Sequence, residues 1–175
     1  MMIALPRVAP PTSSIARAVV RVRDEYDLPI AGFDLAGQED GYPAHAHVNA
    51  YRHAHRHFLH KTVHAGEAAG PQSVWSAIRD LGATRVGHAV RAGEDPALLD
   101  YLVEHRIGVE ANLTSNVQTR AVTDFRSHPL KFYYDFGIRV TINTDNRLVA
   151  AACRIRWEGL AKDAVHQHQR GFLPG

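Results

Sequence analysis

Cysteine is almost absent from this sequence, with Cys153 the only one among 175 residues. A single cysteine excludes an internal disulfide and any site built from paired cysteines, whether a structural zinc site or a redox site. Chains without disulfides are typical of reducing compartments, so we expect a cytoplasmic location.

Long apolar runs and a strong net charge are absent as well. No run approaches the roughly 20 residues that span a bilayer, and the apolar start at residues 1–6 is too short for a signal peptide. The formal net charge is only +2, and the basic segment at residues 52–61 depends on histidine, which is mostly neutral at pH 7. We therefore expect neither membrane insertion nor nucleic-acid binding.

The composition is that of one globular domain, with 45% hydrophobic and 22% charged residues. Apolar spacing and turn residues predict alternating strands and helices. The predicted strands are residues 2–5, 29–35, 62–64, 85–88, 108–113 and 139–143, and the predicted helices are residues 13–26, 47–59, 71–81, 96–105 and 129–136.

This alternation predicts right-handed βαβ units and a parallel sheet. A complete (β/α)8 barrel of the TIM type needs about 250 residues. The predicted fold is therefore an α/β incomplete TIM-type (β/α)8 barrel that is two β/α units short.

Three predicted strands end in polar, ionisable residues. His64 closes one short apolar strand and is followed by Glu67, His88 closes the next, and Asp145 follows the last. Taken singly, each is better explained as a hydrogen-bonded rim residue or a turn cap. Parallel barrels present catalytic groups at the C-terminal ends of their strands, however, and imidazole and carboxylate are zinc ligands. Together these residues predict a metal-hydrolase site.

Five motifs in a fixed order extend the pattern. They are Gly32-Phe33-Asp34-Leu35-Ala36-Gly37, His64-Ala65-Gly66-Glu67, Gly87-His88, Leu113-Thr114-Ser115-Asn116 and Asn143-Thr144-Asp145. In this order they resemble the adenosine deaminases of the metal-dependent amidohydrolase superfamily. The resemblance covers about residues 1–150 and runs from the third to the eighth strand of that barrel, which implies that the first two β/α units are absent.

The resemblance also implies a cofactor, one Zn²⁺ ion. His64 and Asp145 match two of the family's zinc ligands, and the other two are a His-x-His pair on the first strand, outside the matched region. The implied reaction is zinc-dependent hydrolytic deamination of adenosine to inosine, a step of purine salvage.

The roles of the remaining site residues are implied in the same way. Glu67 resembles the residue that protonates N1 of the purine, and His88 resembles the residue that orients the attacking water and stabilises developing charge. Asp145 is expected to accept the proton of that water as well as to bind zinc. The backbone N–H of Gly37 is expected to contact the base, and Asn146, where many members carry aspartate, is expected to face N7.

Several other polar residues have two interpretations. Two pairs have His-x-His spacing, at residues 45 and 47 and at residues 53 and 55, and we expect them on a solvated helix exterior. Asp34 and Glu110 lie on strands, either as paired structural carboxylates or as site residues, and the structural role is favoured because buried carboxylates need partners. The segment at residues 117–120 is expected to shape the pocket rim.

Two alternatives to an adenosine deaminase stay open. The chain could be a catalytically incomplete fragment that serves as a scaffold or partner subunit, or a deaminase of a related adenine-containing metabolite. Open strand edges predict self-association or pairing with an N-terminal segment. Residues 151–175 are expected to form a divergent, mobile tail outside the domain of residues 1–150.

Overall fold

The computed structural model describes residues 2–8 and 12–145. Strands and helices alternate through this part of the chain. The strands are β1 Met2–Pro6, β2 Gly32–Ala36, β3 His60–Ala65, β4 Arg85–His88, β5 Gly108–Ala111 and β6 Val140–Ile142. The helices are α1 Ser13–Tyr26, α2 Val48–Arg56, α3 Pro71–Arg79, α4 Pro96–Glu104, α5 Leu113–Gln118 and α6 Leu130–Phe136, with short 3-10 helices at Ala44–His47 and Ala92–Glu94.

All six strands belong to one parallel sheet whose spatial order is the order of the sequence. Each strand pairs with the next, for example Ala4 with Asp34, Val63 with Val86 and Val109 with Val140. A sheet that grows in one direction without reversing its order is typical of a barrel and not of a doubly wound sheet. The predicted parallel sheet is confirmed.

The core lies between the strands and the surrounding helices. Strand residues such as Phe33, Leu35 and Val63 are fully buried, as expected for a parallel sheet that is covered on both faces. Helix residues that pack against the sheet include Val74 and Leu98, both fully buried. This packing fixes the strand ends, and with them the functional side chains.

The helix starts follow local chemistry. Pro71 and Pro96 occupy the first positions of α3 and α4, where a missing N–H costs nothing. Asp95 caps α4 by accepting hydrogen bonds from the backbone N–H groups of Ala97 and Leu98, at 3.0 and 3.4 Å. No helix within residues 2–8 and 12–145 is long and apolar enough to cross a membrane.

The structure shifts the bounds of several predicted elements by up to three residues, and it adds one helix that was not predicted. The strand predicted at residues 108–113 ends at Ala111, and Leu113–Gln118 forms α5, a sixth helix in the described part of the chain. Thr, Ser, Asn and Val have only modest helix propensity, so nothing local indicated a helix. Tertiary burial holds it, since Leu113, Thr114, Ser115 and Asn116 are all buried.

The prediction for the histidine pairs is wrong at His47. Its ring is 1% exposed, with Nδ1 3.0 Å from the Thr12 hydroxyl and Nε2 3.0 Å from the carbonyl oxygen of Arg7. Burial lowers the pKa of His47. His45 and His55 are exposed, as predicted, whereas His53 is half-buried. His47 was misjudged because the turn that brings it against β1 depends on contacts 35 and 40 residues away in sequence.

Candidate active site

The predicted site residues come together at the C-terminal edge of the sheet. His64 lies near the end of β3, His88 ends β4, and Asp145 follows β6. Because β3 and β4 are neighbours in register, with Ala65 opposite His88, the two histidine rings lie 4.8 Å apart between centroids. One nitrogen or oxygen of each of His64, His88 and Asp145 lies within 4.8 Å of the others.

His64 lies between two carboxylates. Its Nδ1 is 3.0 Å from Asp34 Oδ1, and its Nε2 is 3.8 Å from Asp145 Oδ1, an ion-pair distance rather than a hydrogen bond. Burial lowers the pKa of His64, but the two carboxylates outweigh burial and raise that pKa to about 10. His64 in turn is the main reason that the pKa of Asp145 falls to about 2. Asp34 therefore orients the ring, and Nε2 faces Asp145.

His88 is held in an unusual backbone conformation. Its φ is 66°, and that of Ala89 is 48°, both in the left-handed region that residues other than glycine rarely adopt. Such strain clusters at functional sites, where the surrounding structure enforces it. The ring is 1% exposed, and burial lowers the pKa of His88. His88 is therefore a neutral imidazole near pH 7.

Glu67 is held through one of its two carboxylate oxygens. Oε1 accepts hydrogen bonds from Asn116 Nδ2 at 3.0 Å and from the Thr119 hydroxyl at 2.8 Å, and lies 3.5 Å from His88 Nδ1. Asn116 Nδ2 also lies 2.7 Å from His88 Nδ1. An amide nitrogen can only donate, so this short contact places the proton of neutral His88 on Nε2. Asn112 Nδ2 lies farther away, 3.4 Å from both ring nitrogens.

An open cavity of about 720 Å³ joins these groups. This size suits a small organic ligand. Gly37, His64, Glu67, His88 and Asp145 all line it, so the structure brings together five of the six residues predicted for the site. The sixth, Asn146, lies outside the described residues. The rim includes Thr119 and Arg120, in agreement with the expectation for residues 117–120.

The structure adds residues that sequence reasoning missed or placed elsewhere. Asp34 was expected in a structural role, yet its partner is His64, so it belongs to the site. Glu110 keeps the structural role, 2.9 Å from Arg85 and 3.1 Å from the Thr62 hydroxyl.

Asn116, His128 and Glu39 are the other additions. His128 Nε2 lies 3.1 Å from Asn116 Oδ1, and Glu39 binds the loop that carries Glu67. Only the Thr-Ser-Asn motif gave any indication of Asn116 in the sequence.

The chemistry of the donor set fits zinc. Two ligands of one tetrahedral zinc ion lie about 3.3 Å apart, which is close to the observed separation of His64 Nε2 and Asp145 Oδ1, 3.8 Å. Metal-binding histidines almost always donate their other ring N–H to a carboxylate, a backbone carbonyl or water, and His64 has Asp34 in this position. His64 and Asp145 could therefore form part of a zinc ligand set.

The parallel sheet and the ionisable residues at its strand ends together define a partial TIM-type barrel with a candidate metal site. Comparison with known proteins is consistent with this class. The family model "Adenosine deaminase" matches residues 1–172. The chain belongs to the adenosine deaminase family.

Curated relatives of the chain carry the same family name. The chain is 54% identical over 147 residues to the adenosine deaminase of Klebsiella pneumoniae subsp. pneumoniae, covering 80% of this chain and 44% of the relative. It is 53% identical over 120 residues to the adenosine deaminase of Vibrio cholerae, covering 69% of this chain and 36% of the relative. The chain thus spans less than half the length of the curated relatives it matches.

Solved structures show the same partial coverage. The adenine deaminase of Arthrobacter aurescens superposes with a TM-score of 0.73 at 28% identity, over 82% of this chain and 43% of that one. The N6-methyl-AMP deaminase of Arabidopsis thaliana superposes with a TM-score of 0.73 at 26% identity, over 85% of this chain and 43% of that chain. The six strands are part of a TIM barrel, as predicted.

Proposed function

We propose that the chain carries the purine-binding and proton-transfer part of a zinc-dependent adenosine deaminase, which hydrolyses adenosine to inosine and ammonia. The observation that carries the proposal is the convergence of His64, Glu67, His88 and Asp145 on one cavity of about 720 Å³. A role in purine salvage and a cytoplasmic location belong to the same proposal.

His64 and Asp145 are the described residues that would hold the zinc. When bound, zinc supplies Lewis-acid chemistry that makes water a nucleophile near neutral pH. Structural and catalytic zinc sites use three or four protein ligands. We infer that further ligands come from a segment of the protein outside this chain or from another copy of it.

Glu67 supplies the proton for N1 of the purine. Attack at C6 breaks ring aromaticity and places electron density on N1, so an acid is needed there. Both donors that contact Glu67 within the described residues reach Oε1. Oε2 can therefore carry the transferred proton and face the base.

His88 stabilises charge on the attacking oxygen. With its Nδ1 accepting from Asn116, the ring presents an Nε2–H donor that is fixed in place before the reaction. Asp145 accepts a proton from the attacking water. Gly37 lies on the cavity wall, and in this proposal its N–H donates to the base.

The test is the ultraviolet absorbance change of adenosine with purified chain, with and without added zinc. His64→Ala should abolish a zinc-dependent loss of adenosine, whereas Glu25→Gln, an exposed carboxylate on α1, should leave it unchanged. Parallel assays with adenine and AMP distinguish a deaminase of a related adenine-containing compound. No turnover of any of the three at high protein and zinc concentration would leave the fragment interpretation, a scaffold or partner subunit.

A further inference from the structure

Glu39 is a buried carboxylate whose side-chain hydrogen bonds lead to the loop that carries Glu67 and to Ser73 in the first turn of α3. It is 8% exposed. Oε1 accepts from the backbone N–H of Gly66 at 2.7 Å and from the Ser73 hydroxyl. Oε2 accepts from three consecutive backbone N–H groups, those of Glu67 at 3.0 Å, Ala68 at 2.7 Å and Ala69 at 3.0 Å.

These five donors use the whole acceptor capacity of the carboxylate, which has about four lone-pair sites. Burial raises the pKa of Glu39, but the hydrogen bonds from Ser73 and the loop amides outweigh burial and leave that pKa below its usual value. Glu39 is therefore a fixed anion near pH 7. It lines the cavity, but its oxygens are turned to the loop and are not available for proton transfer.

The loop needs such an anchor because it lies between two regular elements. β3 ends at Ala65 and α3 begins at Pro71, so the amides of residues 66–69 have no partner in a helix or strand. Successive backbone N–H groups that converge on one anion form a nest, a geometry that orders irregular backbone. Gly66 starts the turn with a φ of 72°. The side chain of Glu67 leaves the same loop toward Asn116 and Thr119.

We propose that Glu39 is a positioning residue: its carboxylate fixes the backbone of residues 66–69 and so places Glu67 against the substrate. The anchoring of the loop is independent of the reaction. The placement of Glu67 against the substrate rests on the proposed function, in which Glu67 is the acid for N1.

Amide hydrogen exchange of the full chain tests whether Glu39 anchors the loop. In Glu39→Gln the neutral amide offers one acceptor oxygen and points its NH2 group at other donors, so exchange at residues 66–69 should be at least about tenfold faster. The effect should be confined to this loop, with β4 and α4 unchanged. Ser73→Ala removes one donor only and should accelerate the loop less, and Glu25→Gln is the exposed control. Loop exchange that stays at the wild-type rate in both Glu39→Gln and Ser73→Ala overturns the proposal.

Steady-state kinetics test whether this anchor places Glu67 against the substrate. Glu39→Gln should lower kcat for adenosine by about ten- to a hundredfold with KM within about threefold, because a displaced acid affects the transition state more than binding. Ser73→Ala should show the same split in weaker form if Glu39→Gln does not fold. Faster loop exchange with unchanged kcat overturns the positioning role. If the wild-type chain shows no turnover, only the proposed function is contradicted. The hydrogen-exchange rates of residues 66–69 then still test whether Glu39 anchors the loop.

Discussion

Asn116 Nδ2 lies 2.7 Å from His88 Nδ1, and Asn116 is fully buried. The same amide group donates to Glu67, and its oxygen faces His128 Nε2 at 3.1 Å. One side chain therefore sets the tautomer of His88 and holds one oxygen of Glu67. These contacts connect α5 to the ends of β3 and β4.

The first prediction concerns Asn116→Ala. The change removes one buried hydrogen-bond partner from each of His88, Glu67 and His128, so the free energy of unfolding should fall by about 3 kcal/mol. Deamination should fall by about a hundredfold, because His88 loses its tautomer control. Urea unfolding and steady-state kinetics measure the two effects. Asn49→Ala, an exposed position on α2, is the matched control and should change neither.

A second prediction concerns metal affinity. Asp34→Asn weakens the partner of His64 Nδ1 and should lower zinc affinity by about 10- to 100-fold, the usual effect of losing such a carboxylate. A competition titration against a zinc-binding dye measures it without any need for turnover. Glu110→Gln is the control, since the carboxylate of Glu110 pairs with Arg85 and the Thr62 hydroxyl. Equal zinc affinity in the two variants would contradict the role given to Asp34.

A third prediction is the loss of stability below neutral pH. Burial is the main cause that lowers the pKa of His128 to about 4, from an unfolded value near 6.5, and repulsion from His88 in its protonated form adds to it. The unfolded chain therefore binds the proton first, so stability is complete above about pH 6.5 and is lost as pH falls toward 4.

At pH 5 the loss from His128 should be about 2 kcal/mol. Urea unfolding at pH 7.5 and pH 5 measures it by comparison of the wild type with His128→Asn. The variant should show a smaller drop between the two pH values. An identical drop would mean that His128 does not cause the loss of stability between pH 7.5 and pH 5.

The fourth prediction separates backbone strain from crowding at Gly66. Gly66 has a φ of 72°, and a Cβ there would lie 2.7 Å from Val74 Cγ2. Gly41 has a φ of 77° with nothing within 4 Å, so Gly41→Ala measures the conformational cost alone, about 1 kcal/mol. Gly66→Ala should cost about 1–3 kcal/mol more, from overpacking against the core. Equal losses in urea unfolding would show that the loop relaxes away from Val74.

Much of the fold could be predicted from local patterns. α1 and β4 have the bounds that were expected, Ser13–Tyr26 and Arg85–His88, because periodic apolar residues and clear boundaries mark them. The missed helix Leu113–Gln118 has no strong local preference, and burial alone holds it. The predicted domain boundary at residue 150, and the tail after it, lie outside the described residues.

By itself, the sequence determined which ionisable residues end the strands, because strand and helix periodicity place His64, His88 and Asp145 at one edge of a parallel sheet. It did not determine how these residues are held. The side chains that hold them come from positions 27 to 49 residues away in sequence. Asp34 contacts His64, Asn116 contacts Glu67 and His88, and Glu39 binds the backbone of residues 66–69. Such contacts depend on the relative positions of whole elements, which only tertiary packing decides.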